Sequence, residues 1–238
     1  MIKTVFLFVY VVSAVLFLFP IGIISFILSF LGLAKPMAAM IYRVAQGWAL
    51  LLIKMTGCPV TVTGRENIPS SGGVCFVSNH SGIFDIVLLL AYCGRPIGFI
   101  AKKELSLIPV FNLWIFLIGG LYIDRKNIRK ALRTINKGVA RIKSGGCMII
   151  FPEGRRSRGE GLLPFHPGSL KLATQAAAPI VPAAVAGSYD VFEKNYRVTT
   201  TPVKVCFGEP IYTSDMPSED RKQILADKIY GVIKEQLE

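Results

Sequence analysis

Between Lys3 and Lys35 the chain carries no charged side chain. This uncharged stretch, Thr4–Ala34, is 31 residues long and is dominated by Phe, Val, Leu and Ile. A helix of about 20 apolar residues already crosses the hydrocarbon core of a bilayer. The stretch must therefore lie in lipid or against other apolar surface. Pro20 and Gly22 interrupt it near its middle. That leaves two arrangements, a single tilted spanning helix or a broken helix that enters one leaflet and returns. A cleaved signal peptide fits poorly, because the apolar run is too long and Ala34-Lys35-Pro36 is a poor cleavage site.

The flanks of the segment point the same way. Lys3, Lys35, Arg43 and Lys54 are all positive, and no acidic residue precedes Glu66. Basic residues beside an apolar segment suit an anionic membrane surface. The next stretch, Met37–Met55, is mostly apolar, with Tyr42 and Trp48 as candidate interface anchors. It reads either as a second, interfacial helix or as a helix packed into the core of the globular part. The expected organisation is membrane-anchoring helices over residues 1–57 and an α/β domain over residues 58–238.

Only 18% of residues are charged and 52% are hydrophobic, against roughly 25% charged in an ordinary globular chain. Intrinsic disorder, which needs low hydrophobicity and high net charge, is excluded. Yet Lys and Arg number 27 against 15 Asp and Glu, a net charge of +12. An apolar but basic chain points to membranes and anions as partners. A nucleic-acid binder would explain the charge but not the uncharged segment, and no platform of interleaved Arg and aromatic residues is present. The five cysteines form no CxxC and mostly sit in apolar runs, and only two histidines occur. Buried reduced thiols are expected, with no metal site and no disulfide framework, in a reducing, cytosol-facing compartment.

From Cys58 onward short β-branched runs alternate with helix-length segments. Strands are expected at Val60–Thr63, Gly73–Ser78, Ile97–Ala101, Leu121–Ile123, Met148–Phe151, Ile180–Val185 and Thr201–Phe207. Helices are expected at Ile83–Tyr92, Leu107–Ile118, Asn127–Lys143, Gly168–Ala177 and Ser218–Leu237. This alternation implies an α/β fold, a mixed, largely parallel sheet flanked by helices and preceded by the membrane-embedded helical segment. Sites in such sheets form in the loops beyond strand ends.

Four blocks of chemistry fall there. The first is Ser78-Asn-His-Ser-Gly-Ile-Phe-Asp85. A turn at Gly82 returns the Asp85 carboxylate toward His80. An Asp bonded to one ring nitrogen fixes the tautomer and frees the other nitrogen as a general base. The alternative is a loop histidine beside a helix-capping Asp. The second is Phe151-Pro-Glu-Gly-Arg-Arg-Ser-Arg158, with three arginines in four residues. Guanidinium forks and turn N–H groups bind phosphate, although a loop facing anionic lipid would look similar. The third runs from Lys102 and Lys103 through Pro109 to Arg125; Lys102 or Lys103, with Arg125, is a candidate for the same anion site, the alternative being a solvated pair of lysines. The fourth, Ile180–Val185 with Pro182, carries no chemistry and reads as a wall.

Together the blocks resemble those of the glycerolipid acyltransferase family, over roughly residues 58–210. His80 with Asp85 matches its Asn-His-x4-Asp block, Lys102 through Arg125 its second, Phe151 through Ser157 its Phe-Pro-Glu-Gly-Thr-Arg-Ser, and Val181-Pro182 its apolar Val-Pro strand. Arg155 stands where the family usually has Thr, and Asn112 where a Gly is common. The resemblance is strongest to bacterial members that acylate 1-acylglycerol-3-phosphate. It implies direct acyl transfer from acyl-CoA or acyl-carrier protein to a lysolipid hydroxyl, with His80 as base and Asp85 holding it. It further implies an acceptor site of Lys102, Arg125, Glu153, Gly154, Arg155, Arg156 and Ser157, and no metal or redox cofactor. The implied location is the inner (cytoplasmic) membrane, with the catalytic part facing the cytoplasm. Arg155 keeps a second acceptor class open, a lyso-aminolipid or lysophospholipid. A non-catalytic anionic-membrane binder would have no use for an oriented imidazole.

Overall fold

In the computed structural model, residues 1–166, 168–213 and 221–238 are described, apart from the side chains of residues 29, 30, 34, 35 and 221–223. The chain opens with helix α1 (Ile2–Phe17) and continues after Leu18 as α2 (Phe19–Leu28). Pro20, the second residue of α2, needs no N–H there, which is why the proline interrupts the apolar run without ending it. At Gly32 the backbone turns to φ +83, a left-handed conformation open to glycine. The chain then folds back as α3 (Ala34–Thr56). The apolar N-terminus is thus a broken helix followed by a returning one. Lys3 closes the open end of this hairpin, its ammonium donating to Thr56 O at the last turn of α3 and to Thr200 Oγ1 at 2.8 Å.

Both arms are apolar enough to cross a membrane by length and composition, Ile2–Leu28 with mean hydropathy 2.7 and Pro36–Thr56 with 1.3. Their surroundings differ. Phe6, Phe8, Val9 and Phe17 of α1 are exposed. By contrast Tyr42, Ala45, Ala49, Leu52 and Ile53 of α3 are buried in the same cluster as sheet residues Phe76, Ile149 and Val205. The returning helix is therefore shared between the apolar hairpin and the α/β core.

The sheet has seven strands in the order β1-β7-β6-β2-β5-β3-β4. These are β1 (Val60–Thr63), β2 (Val74–Ser78), β3 (Ile97–Lys102), β4 (Leu121–Ile123), β5 (Cys147–Ile150), β6 (Ile180–Ala186) and β7 (Val203–Phe207). Five neighbours, β6-β2-β5-β3-β4, run parallel, whereas β7 pairs antiparallel with β6 and parallel with β1. Burial follows position. Central β2 and β5 are buried at every residue, as strands covered by helices on both faces must be, while β1 at the edge alternates. Helix α4 (Phe84–Tyr92) packs with α3 on one face. Helices α6 (Ile128–Lys143), α7 (Lys171–Ala176) and α9 (Arg221–Leu237) cover the other, around Met148, Ile150, Leu172 and Ile229. Asn127 caps α6, its Oδ1 accepting Lys130 N–H at 3.0 Å.

Several expected elements are shorter. The helix expected at Leu107–Ile118 starts only at Phe111, as α5 (Phe111–Leu117), after a 3-10 turn at Lys103–Leu107. Pro109 and the left-handed Val110 (φ 64) separate them, since a proline disfavours helical conformation in the residue before it. Gly168–Leu170 form a turn ahead of α7. Residues 218–220 of the expected C-terminal helix lie outside the described residues. All five cysteines are unbonded, and four are buried. Burial pushes the Cys75 and Cys93 thiols well above their ordinary range.

Candidate active site

The five parallel strands present their C-terminal ends along one edge, and the chemistry-bearing loops emerge from neighbouring strands. Asn79 and His80 follow β2 and Phe151–Ser157 follows β5. Lys102 ends β3, and Arg125 lies two residues beyond β4. Gly187 and Ser188, the latter opening α8 (Ser188–Val191), follow β6. In register, Lys102 stands opposite Ile123, so Lys102 and Arg125 leave the sheet side by side.

His80 and Asp85 meet. His80 Nδ1 lies 2.7 Å from Asp85 Oδ2, with the imidazole 15% exposed and the carboxylate fully buried. The turn between them supplies the rest of the anion's shell. Ser81 N–H and Gly82 N–H donate to Oδ2 at 2.8 and 3.0 Å, and Ser81 Oγ lies 3.3 Å from Oδ1. Ser188 Oγ donates to Oδ1 from the far side. A buried carboxylate is costly unless so surrounded. With Nδ1 turned to the carboxylate, the Nδ1–H tautomer donates to Asp85 and leaves Nε2 as the acceptor nitrogen. The ring stacks on Phe151 with centroids 4.1 Å apart and planes at 20°, and Phe151 stacks in turn on Phe99.

The Phe151–Arg158 loop is fastened to this turn by its backbone and by Glu153. Ser157 N–H donates to His80 O at 2.8 Å and Arg158 N–H to Ser81 O at 3.1 Å. Glu153, buried, accepts His80 N–H on Oε1 at 2.6 Å and Leu163 N–H on Oε2 at 3.2 Å. Burial raises its carboxyl to about 7, against the pull of those two N–H bonds. Gly154 has φ +70, and a Cβ there would lie 2.9 Å from the His166 ring, so only glycine fits.

The expected cations divide. Arg125 donates to the Gly154 carbonyl, which joins the β4 and β5 loops. Lys102 is exposed at its strand end, and among the described residues its ammonium makes no hydrogen bond or ion pair. Arg156 is taken by Glu193 at 2.6 Å, whose other oxygen accepts Ile83 N–H. Arg155 pairs with Glu160 at 2.9 Å in solvent. The edge thus brings together His80, Asp85, Glu153 and Ser157 directly, and Arg125 with Gly154. Arg155 is turned to Glu160, and Arg156 has a carboxylate partner that spacing did not indicate.

Three residues of the site had no role in the sequence reading, although Asn79 stands in the first block. Asn79, buried, bonds both backbone groups of Val185, Nδ2 to O at 2.9 Å and Oδ1 from N at 2.8 Å, and so carries the β2–β6 pairing past the strand end. Ser188 and Glu193 come after the fourth block. Gly187-Ser188 directly beyond an apolar strand is the same signal that marked His80. Glu193 has no local signature. Among the described residues no cluster of His, Cys, Asp and Glu could hold a metal ion.

The family model for acyltransferases matches residues 59–186, more than half of the chain and all four blocks. The chain belongs to the acyltransferase family. Among relatives, the 1-acyl-sn-glycerol-3-phosphate acyltransferase of Escherichia coli K12 is 37% identical over 176 residues, 74% of this chain and 71% of that protein. The one from Cocos nucifera is 36% identical over 172 residues, 71% of this chain. The match spans only 55% of the coconut protein's length. A crystal structure of the 1-acyl-sn-glycerophosphate acyltransferase PlsC from Thermotoga maritima superposes with a TM-score of 0.82 at 26% identity, over 99% of this chain and 95% of that one. In this acyltransferase the similarity therefore includes the N-terminal hairpin as well as the sheet.

Proposed function

We propose that this acyltransferase is a membrane-bound enzyme that moves a fatty acyl group from acyl-CoA or acyl-carrier protein to 1-acylglycerol-3-phosphate, giving phosphatidic acid. The observation that carries the reading is the His80–Asp85 contact at 2.7 Å, at a sheet edge that also gathers Lys102 and Arg125. His80 Nε2 takes the proton of the acceptor hydroxyl as its oxygen attacks the thioester carbonyl. The tetrahedral intermediate collapses to the ester, and the departing thiolate takes the proton back from His80. Asp85 stabilises the transient imidazolium, the role it has in a serine-protease triad. Here the substrate's own hydroxyl replaces the nucleophilic serine. General-base assistance of this kind is worth about 10²–10⁴-fold in rate.

Lys102, Arg125 and Arg156 are the groups for the acceptor phosphate, with Glu153, Gly154 and Ser157 shaping the pocket. Arg155 occupies itself with Glu160 and gives no support to another acceptor class. The exposed apolar face of α1 and the candidate spans support membrane attachment. The basic flanks and reduced cysteines support the cytoplasmic side of the inner membrane. The test is product analysis. Detergent-solubilised protein is offered lysophosphatidate, a lysophosphatidylcholine, a lyso-aminolipid and monoacylglycerol, each with an acyl-CoA and an acyl-carrier protein, and products are identified by mass. Preferential formation of phosphatidate, lost in His80→Ala, supports the reading. A faster reaction with any other acceptor overturns it.

A further inference from the structure

Lys102 and Lys103 leave β3 together, and neither spacing nor charge tells which of them stands beside Arg125 at a phosphate. The fold separates them. Lys103 Nζ lies 3.1 Å from Asp124 Oδ2, in an ion pair whose carboxylate is only 16% exposed. Lys102 is exposed and, among the described residues, makes no hydrogen bond or ion pair. We propose that Asp124 is a positioning residue for the acceptor phosphate, fixing through Lys103 and through its own turn the spacing at which Lys102 and Arg125 meet that group. The inference rests on the acyl-transfer reading and adds to it what holds two of its cations in place.

Three features carry it. The first is register. Lys102 of β3 stands opposite Ile123 of β4 in the last paired rung, so Lys103 and Asp124 lie one step beyond it. Their side chains tie the two chains together where the backbone ladder has ended. The second is the turn after β4. Asp124 Oδ1 accepts Lys126 N–H at 3.1 Å, and the Asp124 carbonyl accepts Asn127 N–H at 3.3 Å. Arg125 is therefore enclosed in a turn that Asp124 closes twice, the side-chain bond being the local device by which Asp fixes a turn. One carboxylate oxygen serves the neighbouring strand's lysine and the other serves its own turn. The third is the course of Arg125. Its guanidinium donates to Gly154 O in the loop after β5. Strand β3 lies between β5 and β4 in the sheet, so Arg125 crosses the end of β3, where Lys102 emerges.

Lys102 and Arg125 are like charges brought to one edge, and they repel until an anion lies between them. A tie that holds both before the substrate arrives lowers the ordering that binding must supply. Asp124 provides that tie without occupying either cation. The Arg125 guanidinium has five N–H donors and gives one nitrogen to Gly154, so donors remain for phosphate oxygens. The Lys103 ammonium holds the Asp124 carboxyl below its ordinary range, so the pair is ionised wherever the imidazole base is neutral. An ion pair with one arm in solvent adds little to stability. Its effect lies in where it puts the two residues beside it.

The experiment measures kcat and KM of the full-length protein in detergent for lysophosphatidate and for monoacylglycerol, with equilibrium binding of lysophosphatidate and Tm alongside. Variants are Lys103→Met, Lys103→Arg, Asp124→Asn, Asp124→Ala and the double variant Lys103→Met/Asp124→Ala. Lys103→Met and Asp124→Asn break the ion pair and keep an acceptor for the turn. Their lysophosphatidate KM should rise about three- to fivefold, the scale of one surface ion pair, with matching loss of lysophosphatidate affinity. Their kcat and their KM for monoacylglycerol should stay within about twofold of the parent, and Tm close to it. Asp124→Ala opens the turn as well and should raise the lysophosphatidate KM by about tenfold or more. Lys103→Arg should restore the parent value. The double variant should be no worse than Asp124→Ala, as two residues acting through one contact require. A lysophosphatidate KM within about twofold of the parent in both Lys103→Met and Asp124→Ala overturns the proposal. So does a loss shared equally by monoacylglycerol, which makes the pair a support of the fold alone. A parent enzyme that uses lysophosphatidate no better than monoacylglycerol overturns the acceptor reading and the inference with it. A parent that prefers lysophosphatidate, with variants that keep the preference undiminished, overturns the inference alone.

Discussion

Ser188 reaches Asp85 across 103 positions of sequence, its hydroxyl donating to Oδ1 while His80 Nδ1 holds Oδ2. The dyad is thus gripped from two sides, by the β2 turn that contains it and by the chain leaving β6. Ser81 Oγ, 2.6 Å from Ser188 Oγ, links the two. A hydrogen bond to a charged group contributes about 1.5–3 kcal/mol. Ser188→Ala should therefore lower kcat by roughly tenfold with the lysolipid KM little changed. Ser188→Thr, which keeps the hydroxyl, should restore most of the loss. A kcat within about twofold of the parent in Ser188→Ala would make Ser188 a packing residue.

His80→Ala should reduce turnover by about 10²–10⁴-fold, the range for a lost general base, and leave lysolipid binding near normal. Asp85→Asn should be comparably severe, because an amide favours the wrong imidazole tautomer. Single-turnover rates beside an equilibrium lysolipid-binding measurement check both. Rates within about threefold of the parent would remove His80 from the mechanism.

Glu153 gives a pH dependence with a definite sign. Its carboxyl stands near 7 in the fold and near 4.5 unfolded. Between those values the folded protein holds the proton that the unfolded chain has released. Stability contributed by this group is therefore present below about pH 4.5 and lost as pH rises to 7. The slope is at most about 1.4 kcal/mol per pH unit. Glu153→Gln cannot titrate, so the difference in Tm between parent and variant should fall with rising pH across that window and level off above it. A difference that does not vary with pH would show that the carboxyl titrates normally.

Much of this was legible in the chain, and for physical reasons. Central strands such as Cys147–Ile150 show as unbroken apolar runs because helices cover both faces, and the His80-x4-Asp85 turn is local, closed by one glycine. The residues that escaped act at long range. Nothing near Glu193 announces that it will meet Arg156 and Ile83, and Ser188 looks like the start of any short helix. For Met37–Met55 the composition leaves an interfacial helix and a core-packed helix both open, since it registers apolarity but not the partner; in the fold the buried face of α3 packs beside Phe76 and Val205. The late start of the helix expected at Leu107–Ile118 was signalled by Pro109, which the apolar periodicity outweighed.

Arg156 carries two demands, and its substitution should show both. In its proposed role as phosphate ligand, its loss should cut kcat/KM for lysophosphatidate by about 10- to 150-fold and hardly alter the rate with monoacylglycerol, expected to be low in both proteins. As the partner of Glu193 at 2.6 Å, its loss also strands a carboxylate that is only 14% exposed, so Arg156→Ala should lower Tm while Arg156→Lys restores Tm more fully than activity. An ammonium can pair with Glu193 but cannot form the guanidinium fork. Glu193→Gln separates the roles, keeping the arginine while weakening its tether. Equal loss on charged and uncharged acceptors in Arg156→Ala would assign the arginine to structure alone.

The membrane prediction stems from where the apolar surface lies. Phe6, Phe8 and Phe17 of α1 are exposed, and so are Leu107, Phe111 and Phe116 around α5. The two groups are joined in the fold. Phe26 of α2 meets Phe116 edge-to-face at 5.7 Å, Trp114 Nε1 donates to Val15 O at 3.4 Å, and a Cβ on Gly22 would lie 3.1 Å from Leu117. An apolar surface this extended on a soluble monomer would be an aggregation hazard; under the proposed function it lies beside the edge that receives the lysolipid and would give that substrate a route from the bilayer. Deleting residues 1–34 would also strip Leu7 from the core and Lys3 from Thr56, so point changes are the cleaner test. Leu107→Ser with Phe111→Ser, both exposed and outside the buried clusters, should weaken binding to anionic vesicles and lower activity on bilayer-embedded lysophosphatidate. Each exposed side chain returned to water forgoes about 1.5–3 kcal/mol of burial when fully inserted, so the pair should reduce vesicle affinity by roughly tenfold or more. Activity on detergent-dispersed substrate and Tm should stay close to the parent. If bilayer and detergent activities fell together, the patch would belong to the fold of the active site, and the membrane contact would have to be sought on α1 alone.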